Sequence, residues 1–296
     1  MMPETSTLRS TLPSVRAQRF RPSPLWWHFG PVALFYLIFL VAPYAVLLRM
    51  SFHRFSSTRL YIPDFTIANY VAVMTDPYYV ALIARSLWIG VLVTAICVLM
   101  GYPLALKIAR SRPTMKSVLI AITLSPLLIN LVVRTYAWLV LLGDTGIVNT
   151  WLLDIGLISA PLGMNGSLAS VLIGLVHISL PLMVISLVGI LERIDPALLQ
   201  AAESLGATRA RILWKVVLPL SVPGIAAGSL LVFSLAISAF VTPILLGGGR
   251  VATVSTVIYE KFTYAMNWPV GATLVMILLV INIGVMSLHG RLFREG

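Results

Sequence analysis

Charge is what this sequence has least of. Only 10% of its 296 residues are Asp, Glu, Lys or Arg, against about 25% in an ordinary soluble domain. With 59% of residues hydrophobic, that deficit excludes a water-solvated globule. It calls for apolar runs long enough to cross a bilayer, about 20 residues each. Cysteine is almost missing. The single thiol, Cys97, excludes an internal disulfide framework, and its place inside an apolar run reads as a buried, inert thiol. The sequence has no Gly-rich phosphate loop followed by Lys-Ser or Lys-Thr, the motif that would cradle ATP. Fixed-period repeats and low-complexity domains are also missing, and the apolar runs contain no carboxylates.

What is present is a strong excess of positive charge, +11 overall. The basic residues sit in short stretches between apolar runs, where a membrane protein places them, so no nucleic-acid partner is expected. Six apolar runs are legible, at about 30–50, 82–108, 118–142, 168–191, 221–246 and 270–288. Each is long enough to span as a helix, the form that satisfies its own backbone in lipid. Pro43, Pro103, Pro126, Pro181 and Pro243 interrupt them, either as kinks beside a pathway or as packing kinks. The fold class expected is all-α, a polytopic bundle of six transmembrane helices in a lipid bilayer.

Arg9, Arg16, Arg19 and Arg21 precede the first run. That run is too long for a signal-peptide core, and no small-residue cleavage site follows it. It reads as an uncleaved span behind a basic cytoplasmic tail, residues 1–28, with the membrane domain covering 29–296. Lys107, Arg110, Arg112, Lys116, Arg193, Arg209, Arg211, Lys215, Arg291 and Arg294 share one side, while Arg54, Arg59, Arg250 and Lys261 fall on the other. The bias places both termini in the cytoplasm. The stretch 143–166 has no Lys or Arg and reads as an external loop.

The most informative segment is the cytoplasmic loop 192–219. Asp195 before Pro196 is a helix start, a side-chain acceptor followed by a residue that needs no donor. Leu198, Ala201, Ala202 and Leu205 then follow helical spacing and make one thin apolar stripe. Gly206 ends the helix, and Thr208 caps a second short one that leads into Pro219 and the fifth span. On these grounds alone the loop is a short helix–turn–helix with a shallow apolar face. An amphipathic helix lying on lipid reads equally well.

The segment resembles the coupling loop of ATP-binding-cassette importer permeases of type I. That family's pattern is Glu-Ala-Ala, three residues, Gly, nine residues, Ile, any residue, Leu-Pro. Here Gln200-Ala201-Ala202, Gly206, Val216 and Leu218-Pro219 stand at the same spacing. Gln200 replaces the Glu, and Glu203, one turn on, is the nearest carboxylate. Gly101-Tyr102-Pro103-Leu104-Ala105, Leu124-Ser125-Pro126, Val133-Arg134-Thr135-Tyr136, Glu192-Arg193-Ile194-Asp195 and Trp268-Pro269-Val270-Gly271-Ala272 follow in order. Together they are similar to spermidine/putrescine permeases of the first-subunit kind, and to relatives that carry opines or aminoethylphosphonate. The resemblance implies a bacterial inner-membrane subunit forming half of a pathway for a small amino compound. It also implies a second, non-identical permease subunit, two ATPase subunits and a periplasmic substrate-binding protein. It implies that ATP-Mg is handled by the ATPase partner, this chain binding no cofactor and catalysing nothing. Asp195, Leu198, Gln200, Ala201, Ala202, Glu203, Leu205, Gly206, Leu218 and Pro219 would make the ATPase contact.

Polar residues within the spans are the remaining candidates. Arg134, Tyr136, His177 and Asn130 are assigned to the substrate pathway. The competing reading of Arg134, and the favoured one, is a charge that snorkels outward or pairs with a neighbouring helix, and that of His177 a packing histidine. Asn130 and Asn282 read as interhelical glue. Tyr259, Phe262, Tyr264 and Trp268 form either an interfacial aromatic belt or a binding-protein contact. A self-contained secondary transporter or channel is the rival reading. It calls for inverted repeats or acidic residues within spans, and neither is visible. An intramembrane protease would need a serine beside His177.

The charge asymmetry makes a topological prediction. With Cys97 replaced, Glu203→Cys and Arg294→Cys are expected to resist an impermeant thiol reagent in intact spheroplasts and to react after lysis. Labelling from outside reverses the orientation.

Overall fold

The computed structural model describes residues 25–292. The four arginines of the basic tail and Arg294 lie outside the described residues. The chain divides into two compact units with the boundary between Val46 and Leu47. The first holds α1 (Leu25–Tyr36), a wide π turn (Leu37–Val41) and the start of α2 (Ala42–Ser51). Together they give a 23-residue apolar helix, Phe29–Ser51, long enough to cross a membrane.

The second unit opens with a small antiparallel hairpin, β1 (Arg54–Ser56) and β2 (Leu60–Ile62), paired with Phe55 opposite Tyr61. Then come α3 (Ala68–Thr75), α4 (Pro77–Ala109), α5 (Pro113–Leu128), α6 (Leu131–Leu141), α7 (Ile147–Asp154) and α8 (Leu168–Leu191). The segment after α8 supplies α9 (Pro196–Ser204) and α10 (Arg209–Ile212), followed by a π turn (Leu213–Val217) that runs straight into α11 (Leu218–Ser238). Short helices α12 (Val241–Gly247) and α13 (Val254–Thr263) precede α14 (Trp268–Leu292).

The core is the triangle of α4, α8 and α11. Lipid removes the hydrophobic drive between helices, so close packing and buried hydrogen bonds must hold them. Glycines make the close packing possible. A Cβ at Gly228 would lie 2.7 Å from Met183 Sδ, one at Gly224 3.0 Å from Ile190, and one at Gly90 2.6 Å from Ile237. The Tyr102 hydroxyl and Ser221 Oγ, 3.0 Å apart, join α4 to α11. These contacts also set direction. Gly224 meets Ile190 while Gly228 meets Met183, so α8 and α11 are antiparallel. Cys97 Sγ points at the Val176 carbonyl and Gly101 packs on Met183, so α4 and α8 run the same way. Cys97 is fully buried, as its apolar surroundings imply. A second cluster, with Val73, Leu82, Val254, Val257, Leu274 and Ile277, gathers α3, α13 and α14 on the start of α4.

Two spans differ from their sequence reading. The run 118–142 is not one helix, because α5 and α6 meet at a 96° bend. The 16 residues of α5 reach roughly 24 Å at about 1.5 Å each, less than the ~30 Å of hydrocarbon. The run 221–246 is also cut, after Ser238. The fifth span instead begins at Arg209 and extends 30 residues to Ser238, so the loop's second helix, α10, is continuous with it. Among the described residues five helices are long and apolar enough to cross unaided, and the bent pair is the sixth candidate. The stretches 52–76, 143–167 and 248–267 hold α3, α7 and α13, which no apolar periodicity announced. The stretch containing α7 is pinned by Asn149, whose Nδ2 donates to the Gly143 carbonyl at 2.8 Å and whose Oδ1 accepts from Leu162 N at 2.9 Å.

The glycine contacts predict that Gly228→Leu overpacks the α8–α11 seam and costs roughly 1–3 kcal/mol. Gly189, whose Cβ position is open, is the control. Thermal unfolding in detergent should fall for Gly228→Leu and stay near wild type for Gly189→Ala.

Candidate functional site

Two places concentrate unusual structure. One is the end of the bundle that carries α9. Asp195 accepts from Ala197 N at 2.8 Å and so caps α9, with Pro196 in the first turn. At the other end Gly206 N donates to the Glu203 carbonyl and Ala207 N to the Ala202 carbonyl. Gly206 itself sits at φ +77°. This is a closed Schellman stop that satisfies the last carbonyls. A second tie lies just before the helix, where Lys116 Nζ on α5 meets Glu192 Oε1 at the end of α8, 2.5 Å apart.

The apolar stripe divides in a way the sequence did not separate. Ala202, with Leu199, Ile194 and Ala207, is half-buried against the bundle's own core. Leu198, Ala201 and Leu205, at i, i+3 and i+7, face outward, with Leu205 88% exposed and Leu198 50%. Ala202 therefore belongs to the anchoring face of α9, and Leu198, Ala201 and Leu205 make the free one. Gln200 and Glu203 are exposed beside it and form no ion pair among the described residues. Leu218 is half-buried at the start of α11, and Pro219 is exposed in its first turn.

The other place is the pair of broken spans. Within α5, Pro126 has no N–H for the Ile122 carbonyl, and Ser125 Oγ donates to it instead at 2.8 Å. At the break Asn130 Oδ1 accepts from Val132 N and Val133 N, capping α6. The Pro126 carbonyl, which a continuous helix would pair with residue 130, takes Arg134 Nη1 at 2.5 Å. Arg134 is only 6% exposed. Its charge sits at the C-terminal, negative end of α5, so it does not snorkel. The break in span five is closed the same way. Ser255 Oγ donates to the Ile237 carbonyl at 2.8 Å, and Ala239 N reaches Leu235 O.

The two helices beyond the breaks, α6 and α12, pack on each other, and α12 packs on α8. Gly174 makes room there, since a Cβ would lie 2.6 Å from both Thr242 and Leu246. Ser170 Oγ and Gly166 N both donate to the Leu246 carbonyl, at 2.9 and 2.8 Å. Trp138, one turn after Arg134, donates its indole N–H to His177 Nδ1 at 3.0 Å with the rings edge-to-face.

Of the residues assigned to a pathway, Asn130, Arg134 and His177 are brought to one region, and Tyr136 is left on an exposed face. Asn130 is a helix cap and not interhelical glue. Asn282 donates to Leu278 of its own helix, so it too makes no interhelical bond through that amide. Trp138 was missed; its spacing of four from Arg134 was the available signal. The aromatics between α12 and α14 split in two. Tyr259 stacks on Phe240 at the span-five break and meets Tyr264 edge-on, whereas Phe262 meets Trp268.

Comparison with known proteins places these features in context. Residues 35–295 match the family described as binding-protein-dependent transport system inner membrane component. The spermidine/putrescine transport system permease protein PotB of Haemophilus influenzae is 36% identical over 250 residues, covering 82% of this chain and 87% of that protein. PotB of Escherichia coli K12 is 32% identical over 252 residues, covering 85% and 91%. A chain in the crystal structure of a bacterial alginate ABC transporter, in complex with alginate pentasaccharide-bound periplasmic protein, superposes with a TM-score of 0.74. It is 20% identical and covers 92% of this chain and 98% of that one.

The geometry at the first break predicts that Arg134→Ala leaves the Pro126 carbonyl without its donor, at a cost of about 1–3 kcal/mol. Uptake into cells and the unfolding temperature of the purified protein should both fall, with Arg134→Lys intermediate. Normal uptake and normal stability together would remove Arg134 from any role at the break.

Proposed function

The chain belongs to the binding-protein-dependent transport system inner membrane components, and on that premise we propose that this multi-pass permease carries a polyamine-like amino compound and docks its ATPase through α9. Relatives named for spermidine/putrescine transport, at 32–36% identity, support the cargo class. The solved alginate transporter, at 20% identity, speaks for the fold alone. The lack of carboxylates within the spans fits a pathway that holds a cation weakly and lets it leave.

The single observation that carries the coupling role is the free face of α9. Leu198, Ala201 and Leu205 present a small apolar patch on a helix closed at both ends. The opposite face, through Leu199 and Ala202, is fixed to the α4–α8–α11 core. A push on the free face is therefore delivered to the core as a rigid displacement, not absorbed in a flexible loop. An assembly of this chain with a second, non-identical permease subunit, two ATPase subunits holding ATP-Mg and a periplasmic binding protein would use that displacement to switch the pathway between its two openings. Both termini and α9 would then face the cytoplasm, with the hairpin, α7 and α13 outside. This chain binds no cofactor and carries no catalytic residue in that scheme.

The test is co-purification with the ATPase and binding-protein-stimulated hydrolysis in reconstituted membranes. Leu205→Glu puts a carboxylate on the docking patch, where desolvation without a partner costs on the order of several kcal/mol. Gly206→Leu has open space around its Cβ but must hold φ +77°, at roughly 1 kcal/mol or more. Both are expected to lose ATPase retention and stimulation at normal permease levels. Wild-type coupling in both returns α9 to a helix lying on lipid. Uptake of labelled spermidine and putrescine reads the cargo separately. If neither is taken up or competed, the cargo class changes while the docking result stands.

A further inference from the structure

At the end of the bundle that carries α9, α4 and α5 line an open cavity of about 700 Å³. Its rim is cationic, formed by Lys107, Arg110 and Arg112, and its wall is apolar, formed by Pro103, Leu106 and Leu119. All three cations are exposed and none forms an ion pair among the described residues. Of the carboxylates at the junction of α8 and α9, Glu192 is committed to Lys116 and Asp195 caps the start of α9.

We propose that this cavity is a binding site for an anionic phospholipid, its phosphate held by Lys107, Arg110 and Arg112 and an acyl chain laid against Pro103, Leu106 and Leu119. Basic pockets between membrane helices bind anionic headgroups by this chemistry. The shape decides in favour of a lipid over the acidic surface of a partner protein. Pro103 lies seven residues before Arg110 on α4, and Leu119 seven after Arg112 on α5. At helical rise the wall thus runs roughly 10 Å from the charged rim toward the hydrocarbon, a depth an acyl chain fills and a docked protein surface does not. The site lies on the same helix as Lys116, the residue that ties α5 to the base of the coupling segment. A lipid seated there therefore braces the support of α9. The inference rests on the membrane-spanning arrangement and not on the cargo or the ATPase contact.

The experiment compares full-length protein extracted from bilayers of phosphatidylglycerol and phosphatidylethanolamine, with retained lipid counted by native mass spectrometry. The triple change Lys107→Gln, Arg110→Gln, Arg112→Gln should reduce retained phosphatidylglycerol roughly tenfold. A charge-matched triple, Arg193→Gln, Arg209→Gln, Arg211→Gln, lies outside the cavity and should retain it. Lys107→Arg with Arg110→Lys and Arg112→Lys keeps the charge and should also retain it, which separates lost binding from lost folding. Four results overturn the proposal: equal loss in both Gln triples, no loss in either, loss in the charge-preserving variant, or displacement of the lipid by inorganic phosphate alone. Loss of ATPase co-purification with phosphatidylglycerol retained also overturns it, assigning the rim to a protein partner.

Discussion

A carbonyl released from a helix inside a membrane has no water to turn to, and the part of this bundle that holds the broken spans is organised by that constraint. Each interruption is matched to a donor. Ser125 covers the carbonyl that Pro126 orphans. Arg134 covers the one released at the bend, and Ser255 the one released where the fifth span stops. A charged side chain would be expensive at this depth. Arg134 is tolerated because the end of α5 supplies both an acceptor and the negative end of a helix dipole. The two post-break helices then pack together and onto α8, so the interruptions form one braced region.

The packed triangle obeys a different rule. Among α4, α8 and α11 the limiting factor is distance. Glycines at 90, 101, 224 and 228 let side chains of the neighbouring helix approach where any Cβ would crowd them. One cross-helix hydroxyl pair, Tyr102 with Ser221, adds direction to contacts that are otherwise nonspecific. This packed triangle is also the seat of α9, through Leu199 and Ala202.

Much of the plan was legible in composition. The bounds of α8 coincide with its apolar run, and the caps of α9 stand in the sequence as Asp195, Pro196 and Gly206. What escaped did so for physical reasons. A polar residue in an apolar run has no signature that separates a helix cap from an interior hydrogen bond, so Asn130 concealed the bend. The faces of α9 could not be separated because Leu198 and Leu199 are adjacent and equally apolar, and only the bundle beneath decides which turns inward. Trp138 and His177 lie 39 residues apart, a pairing that no local pattern encodes. The short helices α7 and α13 depend on tertiary anchors such as Asn149 and Ser255, not on periodicity.

The π turn at Leu213–Val217 carries one last consequence. It holds an extra residue in one turn, so the helix on either side of it is out of phase by roughly 100°. Ile212 and Val217 are both buried although they stand five apart, a spacing that a straight α-helix would rotate away from a common face. Residue counting and angular position therefore disagree across this point. The 192–219 segment transplanted from a relative whose helix runs straight would arrive with the right number of residues and the wrong side facing inward. Exchange between such proteins has to be cut on the α9 side of Leu213, or carry the wide turn along with it.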